Sequence, residues 1–277
     1  MEFKRTKDFL VCVDSDGCAM DTMNIKHFEA FGPEFVKIMD VEEQREDVLK
    51  RWNKTNLFSK KRGINRFLSF LDGLEYVHEN IRPVEGIEVF REYVHNDGKL
   101  STDGIEKAYT QSKADILKKV IDWSYNVNDV IKKIPRKKNE SFKNVLPALQ
   151  EIAKKANIVV VSTATKDAVQ TEWTKAGLMG YVDAVFTQEF GSKTESIAHA
   201  KAVGNYEDDK MIKIGDAPGD LEAARNNHAY FYPIIAMKEE ESWIDFRNEY
   251  FEKFINGQYN EVQDQLIDKF LSELDSL

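Results

Sequence analysis

Two aspartates two residues apart, Asp14 and Asp16, stand directly after a short apolar run, Phe9–Val13. Two more, Asp216 and Asp220, follow another such run, Met211–Ile214, within Gly215-Asp216-Ala217-Pro218-Gly219-Asp220. Between them in the chain come a hydroxyl pair, Ser162-Thr163, after a third run, and Lys193 beyond a fourth. Brought together, the carboxylates would repel one another unless a cation occupied the site. Hard oxygen ligands with no His or Cys among them select Mg2+, which takes one or two carboxylates and keeps several waters. Metal, lysine and hydroxyl together suit a phosphoryl group in transfer, whose spread negative charge they would neutralise. Two carboxylates at this spacing can then divide the work. Asp14 attacks phosphorus and forms an aspartyl-phosphate, while Asp16 protonates the leaving oxygen and later activates water.

Each part alone has a plainer reading. Asp14-Ser15-Asp16-Gly17 has the composition of a turn, Ser162 and Thr163 those of a helix cap, and Asp220 the form of an N-cap before Leu221–Asn226. A lone Lys193 would be solvated. The set is specific where its members are not.

Such a set needs strands to converge it. Five runs rich in β-branched residues, Phe9–Val13, Asn157–Val161, Val182–Phe186, Met211–Ile214 and Ala229–Ile234, read as strands buried on both faces. The last four alternate with the helical patterns Lys166–Ala176, Thr194–Val203 and Asp220–Asn226. That rhythm predicts an α/β fold with a Rossmann-like, doubly wound parallel sheet, whose sites lie at the carboxyl ends of the strands. The long interval after the first strand is polar and helix-patterned, with charged faces at Val41–Trp52 and Ser112–Trp123. More than a hundred residues at that point predict an inserted all-helical domain rather than a loop. In the tail, Trp243, Phe246, Tyr250 and Phe254 recur at helical spacing, which predicts two helices packed on the body. The expected division is a discontinuous core of residues 1–20 and 141–237, a helical domain over 21–140, and a C-terminal extension over 238–277.

Composition narrows the partners. The 277 residues carry 39 Lys plus Arg against 48 Asp plus Glu, a net charge of −9, which argues against nucleic acid. No apolar stretch approaches the roughly 20 residues of a membrane span. Two cysteines, Cys12 and Cys18, and five scattered histidines suggest neither a disulfide framework nor a zinc site. A soluble cytoplasmic protein acting on a small molecule, without membrane or protein partner, is expected.

The ordered motifs closely resemble those of the haloacid dehalogenase-like hydrolase superfamily. Asp14-Ser15-Asp16-Gly17 matches its DxDG first motif, Ser162 its second, Lys193 its third, and Gly215-Asp216 with Asp220 the GDxxxD form of its fourth. The resemblance implies that Asp14 is nucleophile and Mg2+ ligand, and that Asp16 is general acid/base with its backbone carbonyl on the metal. It implies that Ser162 and the backbone at Thr163 bind phosphoryl oxygens, and that Lys193 holds the nucleophile and phosphate. Asp216 would bind Mg2+ directly and Asp220 orient metal-bound water. Ser15 and Cys18 depart from the usual residues without removing a catalytic group.

The position of the insertion is similar to that of the helical cap in the β-phosphoglucomutase-like branch, with Asp21-Thr22 and His27 near its hinge. Arg62-Gly63-Ile64-Asn65-Arg66 is similar to that branch's specificity loop, so Arg62 and Arg66 either grip a distal anionic group of the substrate or form a solvated basic turn. The basic stretch Lys132–Lys138, with Pro135-Arg136-Lys137-Lys138 in it, reads as a solvated return hinge. The resemblance implies a Mg2+-dependent phosphatase of a small phosphorylated metabolite. A sugar-phosphate mutase using the same residues is the alternative, and a non-catalytic phospho-ligand-binding protein a third reading.

Overall fold

The computed structural model describes residues 3–96, 98–135 and 140–276. Of the basic stretch Lys132–Lys138, residues 136–138 lie outside them, and Lys132 and Lys133 end the helix Asp115–Lys133. Five parallel strands, β1 (Phe9–Val13), β2 (Ala156–Val161), β3 (Ala184–Phe186), β4 (Met211–Gly215) and β5 (Tyr230–Pro233), form one sheet in the order β3-β2-β1-β4-β5. Strand order reverses between β1 and β4, so their carboxyl ends flank the switch point of an open α/β sheet. The register sets Val13 beside Val160 on one side and beside Ile214 on the other.

Both faces are covered, which is why the strands are continuously apolar. Val11, Val13, Ile158, Val160, Ile212 and Ile214 pack with Leu149, Trp173, Trp243 and Phe246 on one face. Leu10, Cys12, Val159, Val161 and Met211 pack with Ile197, Ala200 and Ala223 on the other. The helices that bring these partners are Val145–Lys155, Lys166–Lys175 and Glu239–Asp245 on the first side, and Lys193–Gly204 and Pro218–Asn226 on the second. The predicted doubly wound α/β sheet is therefore the observed one. The tail folds as helical segments Glu239–Asp245, Phe246–Tyr250 and Phe251–Ile255 in succession, followed by Gln263–Ser276. Trp243 donates its indole N–H to Cys18 O at 2.8 Å, and Phe270 lies against Phe231 of β5.

The chain divides into two compact units. The first comprises residues up to Met23, Phe58–Gly63, and the described chain from Glu140 on; the second comprises Asn24–Leu57 and Ile64–Pro135. The second is helical, with Gly32–Ile38, Arg45–Leu57, Arg66–Asn80, Ile87–His95, Thr102–Ser112 and Asp115–Lys133 as its principal helices. Its own core is aromatic: Phe35, Trp52, Phe70, Phe90 and Trp123 are buried together. The helical face expected over Ser112–Trp123 is instead interrupted. One helix ends at Ser112, Lys113 takes a left-handed conformation (φ 56°), and the next begins at Asp115. No helix among the described residues is long and apolar enough to cross a membrane.

Candidate active site

Asp14 is the first residue beyond β1, and its N–H donates to Ile214 O at 3.0 Å, which ties it to the adjacent strand. The loop behind it closes tightly: Ser15 O accepts from the N–H groups of Cys18, Ala19 and Met20. Ser15 itself is buried, and its hydroxyl accepts the Trp173 indole N–H at 2.9 Å. That bond is the physical reason for a small polar residue here. Gly17 adopts φ +77°, and a Cβ there would sit 2.5 Å from Asp216 Oδ2 and 2.7 Å from Arg62 Nη2. Only glycine lets the loop pass this close. Asp16 is turned to Thr22, whose buried hydroxyl donates to its carboxylate.

Asp216 follows β4 and Asp220 lies in the helix Pro218–Asn226. The helix begins two residues earlier than expected, with Ala217 at its N-cap position and no side-chain cap. Asp220 is thus not the cap that its place before Leu221 suggests. It is fully buried, its Oδ1 lies 2.7 Å from Lys193 Nζ and 2.9 Å from Lys213 Nζ, and its side chain lies where a Cβ on Gly215 would be. Lys193 opens the helix Lys193–Gly204, which a Ser192–Glu195 capping box fixes, and its ammonium also reaches Asp14 Oδ2 at 3.1 Å. Arg62, on the Phe58–Gly63 segment of the same unit, places Nε 2.7 Å from Asp216 Oδ2, with both side chains 1% exposed.

Asp14, Asp216 and Asp220 each offer a carboxylate oxygen, and these atoms lie within 4.8 Å of one another. Asp216 Oδ1 and Asp220 Oδ2 are buried and have no hydrogen-bond partner among the described residues. Orphaned carboxylate oxygens this close are costly unless a cation accepts them, so the residues fit a divalent metal with oxygen ligands. The three carboxylates are not left to repel, however. Lys193, Lys213 and Arg62 each hold one or more of their other oxygens.

These surroundings set the proton affinities. Burial pushes Asp14 up to about 7, with Asp220 and Asp216 adding repulsion against the attraction of Lys193 and Lys213. Burial likewise raises Asp216, against the pull of Arg62. Burial would raise Asp220 too, but Lys193 and Lys213 outweigh it and hold the carboxyl below its ordinary value. Lys193 is the reverse case: burial disfavours its charge, yet Asp14 and Asp220 raise its pKa.

Of the other residues singled out from sequence, Ser162 is the first residue beyond β2 and is buried, its N–H bonded to Phe186 O at 3.0 Å and its hydroxyl accepting from Ala164 N at 3.1 Å. It does not cap the following helix; Thr165 does. Thr163 is exposed. Arg66 belongs to the helical unit, where it donates to Asn128 Oδ1 at 2.8 Å and covers the Phe31 ring at 5.0 Å. His27 is also in that unit, tilted against the Phe31 ring and accepting the Trp52 indole N–H at 3.1 Å. Sequence reasoning missed Lys213 and the Thr22–Asp16 bond. Lys213 was visible as a lone charge between Ile212 and Ile214 in a strand otherwise apolar.

A model of the haloacid dehalogenase-like hydrolase family matches residues 84–233. The match begins beyond Asp14 and Asp16 and takes in Ser162, Lys193, Asp216 and Asp220. No curated protein matches the chain. Among solved structures, a proposed phosphoglycolate phosphatase from Lactobacillus delbrueckii subsp. bulgaricus is 17% identical, with a TM-score of 0.52 over 83% of this chain and 87% of that one. A haloacid dehalogenase-like family hydrolase from Xanthomonas campestris is 12% identical, with a TM-score of 0.49 over 95% and 97% of the two chains. A proposed β-phosphoglucomutase from Thermotoga maritima is 13% identical, with a TM-score of 0.44 over 90% and 97%. At these identities the first likeness is one of fold.

Proposed function

The chain belongs to the haloacid dehalogenase-like hydrolases, and from that premise we propose that it is a Mg2+-dependent phosphatase of a small phosphorylated metabolite, with the helical unit as its cap. The observation that carries this reading is the convergence of Asp14, Asp216, Asp220 and Lys193 at the carboxyl ends of β1 and β4, with two buried carboxylate oxygens left for a cation.

In this reading Asp14, Asp216 and the backbone carbonyl of Asp16 would hold Mg2+, with Asp220 orienting its waters, and the bound ion would supply positive charge against the phosphoryl oxygens. Asp14 presents the oxygen that attacks phosphorus, and Lys193, already 3.1 Å from it, steadies that carboxylate and the transferring group. Ser162 and the backbone at Thr163 take the remaining phosphoryl oxygens. Asp16 carries the proton to the leaving oxygen and later withdraws one from water. Thr22 donates to Asp16 and restricts the orientation of that carboxyl. The substrate's organic part falls to the cap, with Arg66 as a contact for a second anionic group.

Phosphate release from a panel of phosphorylated metabolites, with and without Mg2+, tests this directly. Wild type should release phosphate only with the metal, and Asp14→Asn should lose at least about a thousandfold in rate. Release by Asp14→Asn at the wild-type rate would remove Asp14 as nucleophile. An isomerised sugar phosphate in place of free phosphate would replace hydrolysis by mutase chemistry.

A further inference from the structure

Lys213 is the cation of this site that no motif requires. It lies inside β4, its side chain is wholly buried, and it sits beside Cys12 in the β1 register, under the helices that carry Lys193 and Asp220. A buried ammonium is expensive unless paired, and its partners are Asp220 Oδ1 at 2.9 Å and Ile214 O at 3.1 Å. That carboxylate oxygen already has Lys193 at 2.7 Å. Lys193 is shared with Asp14 at 3.1 Å, so Lys213 completes the counter-charge of the pair and acts on the cluster as a whole. Ile214 O, which accepts from Lys213, also accepts the N–H of Asp14. The Lys213 charge is thus one peptide group away from the proposed nucleophile.

The charge count shows its effect. Asp14, Asp216 and Asp220 face Lys193, Lys213 and Arg62. With all three carboxylates ionised, as holding a metal requires, they are balanced by three cations, and without Lys213 the same cluster would be net negative. Water and salt do not screen charges held this deeply. A net negative cluster favours a divalent cation and repels a phosphoryl dianion; a balanced one gives up some of the first preference to relieve the second.

We infer that Lys213 sets the charge balance of this site: its fixed positive charge lowers the affinity for Mg2+ and raises the affinity for a phosphoryl anion. The inference rests on the reading of the cluster as a phosphoryl-transfer site. It assigns Lys213 a positioning role, through Asp220 and the local field, and no contact with reacting atoms.

The test uses the full chain and two separate titrations at fixed ionic strength: Mg2+ alone, and inorganic phosphate in the presence of a chelator. In Lys213→Met the Kd for Mg2+ should fall and that for phosphate should rise, each by roughly tenfold, because one unit charge is removed from a low-dielectric cluster. A packing role alone would weaken both or change neither, and either result overturns the inference. If the methionine variant does not fold, Lys213→Gln, which keeps a donor for Asp220, carries the same test with the same opposite shifts. A wild type that binds neither ion overturns the inference together with the reading beneath it. A wild type that binds both, with variants that do not shift them oppositely, overturns the inference alone.

Discussion

Asp14, the proposed nucleophile, has a proton affinity unusual for a carboxyl. Burial, with Asp220 and Asp216 nearby, raises it from 3.8 to about 7. Between those values the folded protein keeps a proton that the unfolded chain has released, so without metal stability falls as pH rises through that window. A divalent cation favours the ionised form and offsets the loss above pH 7. Mg2+ should therefore raise the melting temperature more at pH 8 than at pH 5.5; equal gains would contradict Asp14 as a ligand. Gly17 has a sharper constraint, since its φ of +77° and the 2.5 Å approach to Asp216 Oδ2 leave no room for a methyl group. Gly17→Ala should cost about 1–3 kcal/mol of stability and displace Asp216 or Arg62, which would diminish the stabilisation by Mg2+. Thermal unfolding with and without the metal checks both effects, and a variant indistinguishable from wild type would refute them.

At the scale of elements, what announced itself in the sequence was whatever is buried on both faces. A parallel strand covered twice has no polar side, so Phe9–Val13 and Met211–Ile214 could be recognised without knowing their neighbours. The carboxylates that follow them were legible for the same reason, because strand ends in such a sheet are where side chains converge. Features that depend on tertiary approach were not. Asp220 resembled an N-cap because caps are defined by local composition, whereas its partners, Lys193 and Lys213, come from a different helix and from β4. Arg62 sat in a basic turn, and nothing local indicated that its guanidinium would meet Asp216, 154 residues further along. The break at Lys113 escaped because a left-handed lysine has no sequence mark of the kind glycine supplies. The aromatic tail shows the same coupling between distant elements. The indole of Trp243 satisfies Cys18 O within the turn behind Asp14, so Trp243→Phe leaves a buried carbonyl unpaired and should cost about 1–3 kcal/mol. Urea denaturation measures that loss, and a midpoint unchanged from wild type would show that the bond contributes nothing.

Among the described residues the hydrophobic clusters of the sheet unit and of the helical unit share no member, and this predicts how the protein comes apart. The sheet unit buries its hydrophobic side chains around β1 to β5, while the helical unit buries Phe35, Trp52, Phe70, Phe90 and Trp123 among themselves. Each unit also carries its own reporters. Trp173 and Trp243 belong to the first and Trp52 and Trp123 to the second, whereas both cysteines, Cys12 and Cys18, lie in the first. Burial pushes the Cys12 thiol up to about 12 and the Cys18 thiol well above its ordinary value. Neither should react with an alkylating reagent until the sheet unit opens, because the thiolate is the reactive form. Phe70→Ala removes a ring packed on Phe35, Phe90 and Trp123 and should destabilise the helical unit by about 3–5 kcal/mol. On heating this variant, tryptophan fluorescence should begin to change while Cys12 and Cys18 remain protected, and the thiols should become reactive only in a second, later transition. Thiols exposed at the same midpoint as the fluorescence change would mean that the two cores unfold as one cooperative body.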